Sequence, residues 1–395
     1  MKSEIEPTRS ALLGGARFPH RSRFCVGAVS VQLGGDQEAD VTLVPPLEPF
    51  RVETGLSDIN IRVERVSRLS PVSGQRLFDS GTTWELSQGD AEFQFDFHAA
   101  IFGDRPLKRL LIDTGFCRGT LQMNEECLAR FPNAVAPLGY PLDELLIMHR
   151  LTQERAIELH SCGIVRPDGT GDLFVGHSGA GKSTTTRLWT EREDVEVLSD
   201  DRIIVRQDED RPGVDKSGVE TRCMATDARG REGILRLRDR SASPTGHSAQ
   251  DDKLGKWIPA SDQDDKLGKR IPASSQDDKT KSAQDDRSSA PAGKNHKMRM
   301  YGTPWHGEAM FASPNSAPLT RIFVLEHGHG NVITRLSPSQ AVAELFARSF
   351  VPFHRHEYVD SALVFLEELV DSVPVYRYSF EPDQRAVDKI RHFND

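Results

Sequence analysis

The sequence predicts a mixed α/β protein in which a small β-rich domain precedes a larger α/β domain, itself interrupted by a disordered insertion. Three observations predict this. Short alternating apolar runs separated by turns fill residues 46–138. The glycine-rich stretch Gly176-His177-Ser178-Gly179-Ala180-Gly181-Lys182-Ser183 sits between an apolar strand-like run, Asp172 to Val175, and a segment that continues as helix, Ser183 to Glu191. Residues 208–297 are polar and hold a tandem repeat.

Residues 1–45 mix Gly, Arg and Pro without sustained periodicity, and Pro45-Pro46 marks a break, so this stretch is expected to be a disordered arm. In the β-rich domain, Phe50 to Val52, Ile59 to Val63, Trp84 to Leu86 and Phe93 to Phe97 read as strands. The last alternates cleanly, which argues a half-buried sheet. Nothing there resembles a catalytic cluster, and its aromatics are expected in the core.

The larger domain spans 139–388. Behind Pro141, Leu142, Leu145, Leu146, Met148, His149, Leu151, Ala156 and Ile157 fall at helical intervals, predicting a helix from Pro141 to Glu158. Leu159 to Val165 reads as strand and turn, followed by the glycine stretch, its helix, and a strand at Val195 to Leu198 that runs into Ser199-Asp200-Asp201. The connection from Lys182 to Asp200 has room for one helix of about ten residues, a turn and a strand. If the two flanking strands are neighbours, their carboxyl ends coincide and the acids lie beside the glycine turn.

In the insertion, Gln250 to Asp262 (QDDKLGKWIPASD) recurs as Gln263 to Ser275 (QDDKLGKRIPASS), with truncated copies from Gln276 and Gln284. The copies are too polar to bury a core. Lengthening a connection from about 6 to about 90 residues costs only ~2.4 kcal/mol of closure entropy, which a folded domain tolerates. Regular structure resumes at Met298 to Glu308. Strands are predicted at Arg321 to Leu325 and Val332 to Thr334, and helices at Pro338 to Phe350 and Tyr358 to Val370. Pro374 to Tyr378 is expected as an edge strand.

Gly176 to Ser183 fits G-x-x-x-x-G-K-[ST], the P-loop that cradles phosphates. Glycines at 176, 179 and 181 let backbone N–H groups approach phosphate oxygens, and Ser178, Ala180 and Thr184 complete the cradle. The helix N-terminus adds free donors and a positive dipole end. Lys182 would reach the β- and γ-phosphates, and Ser183 would ligate Mg²⁺. The motif implies a nucleotide ligand, read here as ATP with Mg²⁺.

Net charge is −9, with no basic block or aromatic-interleaved stripe, which argues against nucleic acid. The five cysteines, Cys25, Cys117, Cys127, Cys162 and Cys223, follow neither zinc-ribbon nor paired-disulfide spacing. They are expected as reduced thiols in a cytoplasmic protein. Neither an apolar leader nor a run of about 18 apolar residues is present, so no membrane span is expected. Homo-oligomerisation is left open. ABC-type ATPases would show an LSGGQ-like segment and GTPases an N-K-x-D segment; neither is found.

Four segments in order, His160-Ser161-Cys162-Gly163, the P-loop, Leu198-Ser199-Asp200-Asp201, and Tyr301-Gly302-Thr303-Pro304-Trp305, resemble the HPr serine kinase family and its relatives encoded in bacterial biosynthetic clusters. The similarity covers roughly 140–207 and 298–380. It implies a phosphoenolpyruvate-carboxykinase-like P-loop fold with a mixed sheet, and a kinase that phosphorylates a serine on a small protein or peptide. It also implies roles: Lys182 on phosphate, Ser183 on Mg²⁺, and Asp200 and Asp201 divided between metal binding and proton acceptance, in an order the residues leave open. His160 would tune the acids or contact phosphate, or else serve as a structural histidine at a strand end; Glu308 would supply a further carboxylate or belong to a plain loop. Cys162 reads as a packed thiol. The glycine-rich ELRGxG segment of bifunctional HPr kinases has no counterpart here. Two other readings of the P-loop stand beside the kinase: a nucleotide-binding regulatory module, and a small-molecule phosphotransferase.

Overall fold

Two β-sheets organise the chain in its computed structural model, which describes residues 18–71, 74–81, 83–103, 105–130, 136–192, 194–207 and 298–393. The first sheet collects β1 (His20–Val26), β2 (Val29–Gly35), β3 (Ile59–Val66), β4 (Gln75–Asp79), β5 (Trp84–Gln88), β6 (Glu92–Phe97), β7 (Lys108–Asp113) and β8 (Arg118–Asn124). Their order is β1-β2-β3-β8-β7-β6-β5-β4. β2 and β8 flank β3 in parallel, and the other pairs are antiparallel. The short helix α1 (Glu125–Arg130) follows β8.

This sheet corrects the expected arm over residues 1–45. Residues 18–45 are folded: β1 and β2 form a hairpin whose turn, Gly27-Ala28, has positive φ at both positions. Phe24, Val26, Val29, Val31 and Leu33 all enter the core, a period of two that the surrounding glycines and arginines obscure. Residues 1–17 lie outside the described residues. β6 also departs from the half-buried strand its alternation predicts, because both its faces are covered. On one lie Phe93, Phe95 and Phe97. On the other, Asp96 receives a two-pronged hydrogen bond from Arg109, at 2.6 and 3.1 Å, which satisfies a charge that could not otherwise be buried.

α2 (Leu142–Leu151) closes the first core and leads into the second sheet. That sheet holds β9 (Ala156–Val165), β10 (Gly171–Val175), β11 (Glu196–Ser199), β12 (Arg202–Gln207), β13 (Met298–Tyr301), β14 (Ser316–His327), β15 (Val332–Arg335), β16 (Ser349–Phe350) and β17 (Val375–Phe380). It is mixed: β10 and β17 lie parallel to β14, and the remaining pairs are antiparallel. Pairing runs round a closed circuit, β9-β12-β13-β14-β10-β9, because β9 and β14 are long enough to serve two sets of neighbours. α4 (Pro338–Phe346) and α5 (His356–Ser372) cover one face, and α3 (Lys182–Thr190) and α6 (Gln384–Arg391) pack on the other.

Three expectations change here. The helix predicted from Pro141 to Glu158 stops at Leu151, and Ala156 to Glu158 open β9 instead, drawn in by the burial of Ile157 and Leu159. The helix from Pro338 ends at Phe346, and Ser349–Phe350 pairs with β9. Pro374 to Tyr378 is not an edge strand: β17 lies between β14 and β15, and Pro374 is tolerated because it precedes the paired residues.

The insertion at 208–297 falls outside the described residues, but its two anchors are defined. Gln207 and Met298 face each other as the last pair of the β12–β13 ladder. The insertion therefore replaces what would be a hairpin turn. Joining Gln207 to Met298 through an Asn-Gly turn should leave the melting temperature within a few degrees of the full chain, by differential scanning calorimetry, because the ladder already supplies the register.

An acid-labile point lies between the two cores. His149 on α2 is fully buried, stacks on Phe116 at 4.7 Å and sits 5.1 Å from the ring of His354. Its Nδ1–H donates to the Leu145 carbonyl, and Nε2 of both rings lacks a hydrogen-bond partner. Burial drives both imidazoles down from 6.5, His149 to about 3 and His354 to about 4. The folded pKa values are depressed, so the unfolded chain binds more protons below about 6.5, and stability is lost as pH falls from there toward the folded values. The expected slope is up to about 1.4 kcal/mol per pH unit for each ring. Thermal melts between pH 7 and 4 should show it, and His149→Phe should reduce it to the share of His354.

Candidate functional site

β10 and β14 run parallel, so their carboxyl ends open on the same edge of the second sheet. Beyond Val175 the chain makes the P-loop turn and enters α3 at Lys182. Gly181 has φ +98°, and a Cβ there would lie 2.5 Å from the Phe380 ring, so no other residue fits. Gly176 is restricted by space: its Cβ would approach that of Ala180 to 2.7 Å. Strand, glycine turn and helix thus follow as the motif requires, and the N-terminal donors of α3 face the cleft.

Lys182 is buried, and its ammonium donates to the carbonyls of Gly176 at 3.1 Å and His177 at 3.2 Å. Its Nζ also lies 3.9 Å from Asp201 Oδ1. Burial lowers its pKa, while Asp201 works in the opposite direction. The acids reach this point by a route the sequence did not suggest. β10 and β11 are not neighbours; β9 lies between them and pairs with both. The turn from β11 into β12 still carries the acids to the P-loop, because β9 places His160 at the same edge.

The two acids separate. Asp200, 1 % exposed, turns inward: its Oδ1 accepts the N–H groups of Gly307 at 3.0 Å and Phe311 at 3.2 Å, and its Oδ2 that of Ala309 at 2.8 Å. It pins the segment that follows Trp305. Asp201 turns to the cleft, its Oδ1 2.9 Å from His160 Nε2 and its Oδ2 ion-paired with Arg202 Nη1. Burial raises its pKa, but the His160 hydrogen bond and the charges of Arg202 and Lys182 outweigh it, so the net shift is downward. Burial lowers His160 despite the opposing pull of Asp201. At neutral pH the pair is a neutral imidazole donating to a carboxylate.

These groups border a cleft of about 1180 Å³. Ser178, Gly179, Gly181, Lys182, Ser183 and Thr184 line it, together with His160 and Asp201. Gly176, Ala180 and Asp200 lie outside this lining and shape it from behind. The sequence reading missed Arg202, Tyr140 and Trp305. Arg202 could have been found by its place beside the acid pair; Trp305 is the last residue of the YGTPW segment, and its indole N–H is held by Asp143 Oδ2 at 3.2 Å. Val44 and Pro46 of the first domain also reach the cleft, which no local pattern announces. Glu308 lines it as well. Cys162 is fully buried, with its Sγ 3.7 Å from the Lys182 carbonyl and its thiol pushed up to about 12 by burial, an inert packed group.

Among the described residues, no cluster of three or more His, Cys, Asp or Glu side chains is arranged to hold a metal. Ser183 and Asp201 do border the same cleft and offer hard oxygen donors. That set fits Mg²⁺, which takes one or two protein oxygens and fills its octahedron with water and phosphate. Among the described residues, no disulfide joins Cys25, Cys117, Cys127 or Cys162, and no helix is long and apolar enough to cross a membrane. Compared with protein-family models and with curated proteins, the chain matches none.

Proposed function

We propose that the chain is an ATP- and Mg²⁺-dependent kinase of the cytoplasm that transfers the γ-phosphoryl group to a hydroxyl, a serine of a small protein or peptide. The observation that carries this reading is the position of Asp201: its carboxylate borders the cleft 3.9 Å from the P-loop lysine, with its other contacts made by His160 and Arg202. A P-loop alone accounts for nucleotide binding. A fixed carboxylate beside its lysine adds a proton acceptor where the terminal phosphate would lie.

In this mechanism the P-loop N–H groups and Lys182 hold the phosphates, and Lys182 exchanges its two carbonyl partners for phosphate oxygens. Ser183 would hold Mg²⁺, which would neutralise charge on the phosphates when bound. Asp201 accepts the proton of the acceptor hydroxyl as the new O–P bond forms and the bond to the β–γ bridging oxygen breaks, leaving ADP. A carboxylate suffices as base because the transition state is loose and positioning carries most of the catalysis. The resemblance of the four segments to HPr kinases supports the same assignment.

The phosphate half of the cleft comes from the second domain, and Val44, Pro46, Tyr140 and Trp305 form another part of its wall. We assign this part to the acceptor. Mg·ATP binding tests the first premise: calorimetric titration should give a saturable isotherm, and Lys182→Ala should weaken it at least about tenfold. Equal affinity in wild type and variant would remove the P-loop reading.

A further inference from the structure

Beneath Asp201 lies a set of charged groups that the proposed chemistry does not use. β9 and β12 pair with His160 opposite Arg202 and Glu158 opposite Ile204. Side chains two apart on a strand share a face, so Glu158, His160 and Arg202 all project to the side that α2 covers. The first turn of α2 brings Glu144 onto them. Glu144, Glu158 and Arg202 are each at least nine-tenths buried. The Arg202 Nε meets Glu144 Oε1 in an ion pair and lies 3.7 Å from Glu158 Oε1. Its Nη1 holds Asp201 Oδ2, and its guanidinium carbon sits 4.9 Å over the Phe350 ring.

We infer that Glu144 is a positioning residue for Asp201, acting through Arg202. The inference rests on the kinase reading above. A guanidinium presents its donors in a rigid fork. With the Nε edge held against the Glu144 charge and the plane over Phe350, the Nη1 side meets Asp201, and that fixes one carboxylate oxygen. His160 fixes the other. Without Glu144 the fork is free to pivot and take Asp201 through two nitrogens, turning the carboxylate away from Lys182. Glu158 completes the buried set beneath the guanidinium. Neither of its oxygens receives a hydrogen bond from an N–H, and burial next to Glu144 raises its pKa well above the usual range. Burial raises the pKa of Glu144 as well, and the charge of Arg202 opposes that shift.

Glu144→Gln and Arg202→Lys test this, with Glu154→Gln as the control. Glu154 also forms a half-buried ion-pair network, with Arg150 and Arg206, and lies outside the cleft lining. Each protein is measured in full length, by steady-state phosphoryl transfer and by ¹⁵N spectra of histidine-labelled samples in which His160→Gln identifies the His160 signal. The expected result is a fall in kcat of about 10- to 100-fold for Glu144→Gln and Arg202→Lys with KM for ATP within about twofold. The His160 Nε2 resonance should move in both variants, and Glu154→Gln should change neither readout. An unmoved His160 signal in Glu144→Gln and Arg202→Lys overturns the inference, as does an equal loss of kcat in Glu154→Gln. If wild-type protein transfers no phosphate, the kinase reading fails, and the His160 spectra still decide whether Glu144 sets the Asp201 geometry. Should Glu144→Gln not fold, Glu144→Asp takes its place, with the same two readouts and the same overturning result.

Discussion

Asp201→Asn should lose at least about 10²-fold in phosphoryl transfer while still binding Mg·ATP. The amide keeps the shape of the carboxylate but cannot accept a proton, and its nitrogen faces donors at His160 Nε2 or Arg202 Nη1. General-base contributions of this kind are worth about 10²- to 10⁴-fold. The fold should survive, because Asp201 is only partly buried and Arg202 keeps Glu144 as its counter-charge. Steady-state assays with calorimetric nucleotide binding on the same sample separate the two effects. An Asp201→Asn protein with wild-type kcat would overturn the assignment of Asp201 as base.

Asp200→Ala is expected to act on structure. Removing the carboxylate leaves the N–H groups of Gly307, Ala309 and Phe311 without their acceptor. Each unsatisfied buried donor costs about 1–3 kcal/mol, reduced where water can enter, so a loss of about 3–5 kcal/mol is expected. For a protein of this size that is several degrees or more in melting temperature, readable by calorimetry. The segment following Trp305 borders the cleft, so acceptor KM should rise with it. A wild-type melting temperature would show that the three hydrogen bonds contribute nothing. The contrast between the adjacent acids is the sharper outcome: Asp201 acts on rate and Asp200 on stability.

The mixed α/β class and the meeting of three candidate groups were both legible in the sequence. The P-loop, His160 and the acid pair were legible because each is a fixed local pattern, and folding brings Lys182, His160 and Asp201 to one edge. The division of labour between Asp200 and Asp201 was not legible. It depends on which carboxylate meets the backbone of residues 307–311, and the insertion separates those residues from the acids in sequence. The mixed α/β class was readable from periods of two and of 3.6, and the mixed sheet is present as expected. What failed were tertiary effects. β9 starts earlier than its helical-looking prefix suggests because the sheet buries Ile157, and it intervenes between β10 and β11 because strand order is not written locally. The β1–β2 hairpin was hidden by composition, and Glu144 and Arg202 only gain meaning once α2 lies over β9 and β12.

Transfer of label from [γ-³²P]ATP to an array of serine-containing peptides and small carrier proteins, with Mg²⁺, tests the kinase assignment most directly. Wild-type protein should label a subset of acceptors on serine, and Lys182→Ala and Asp201→Asn should label none of them. Saturable Mg·ATP binding by wild-type protein with no labelled acceptor anywhere on the array would contradict the assignment.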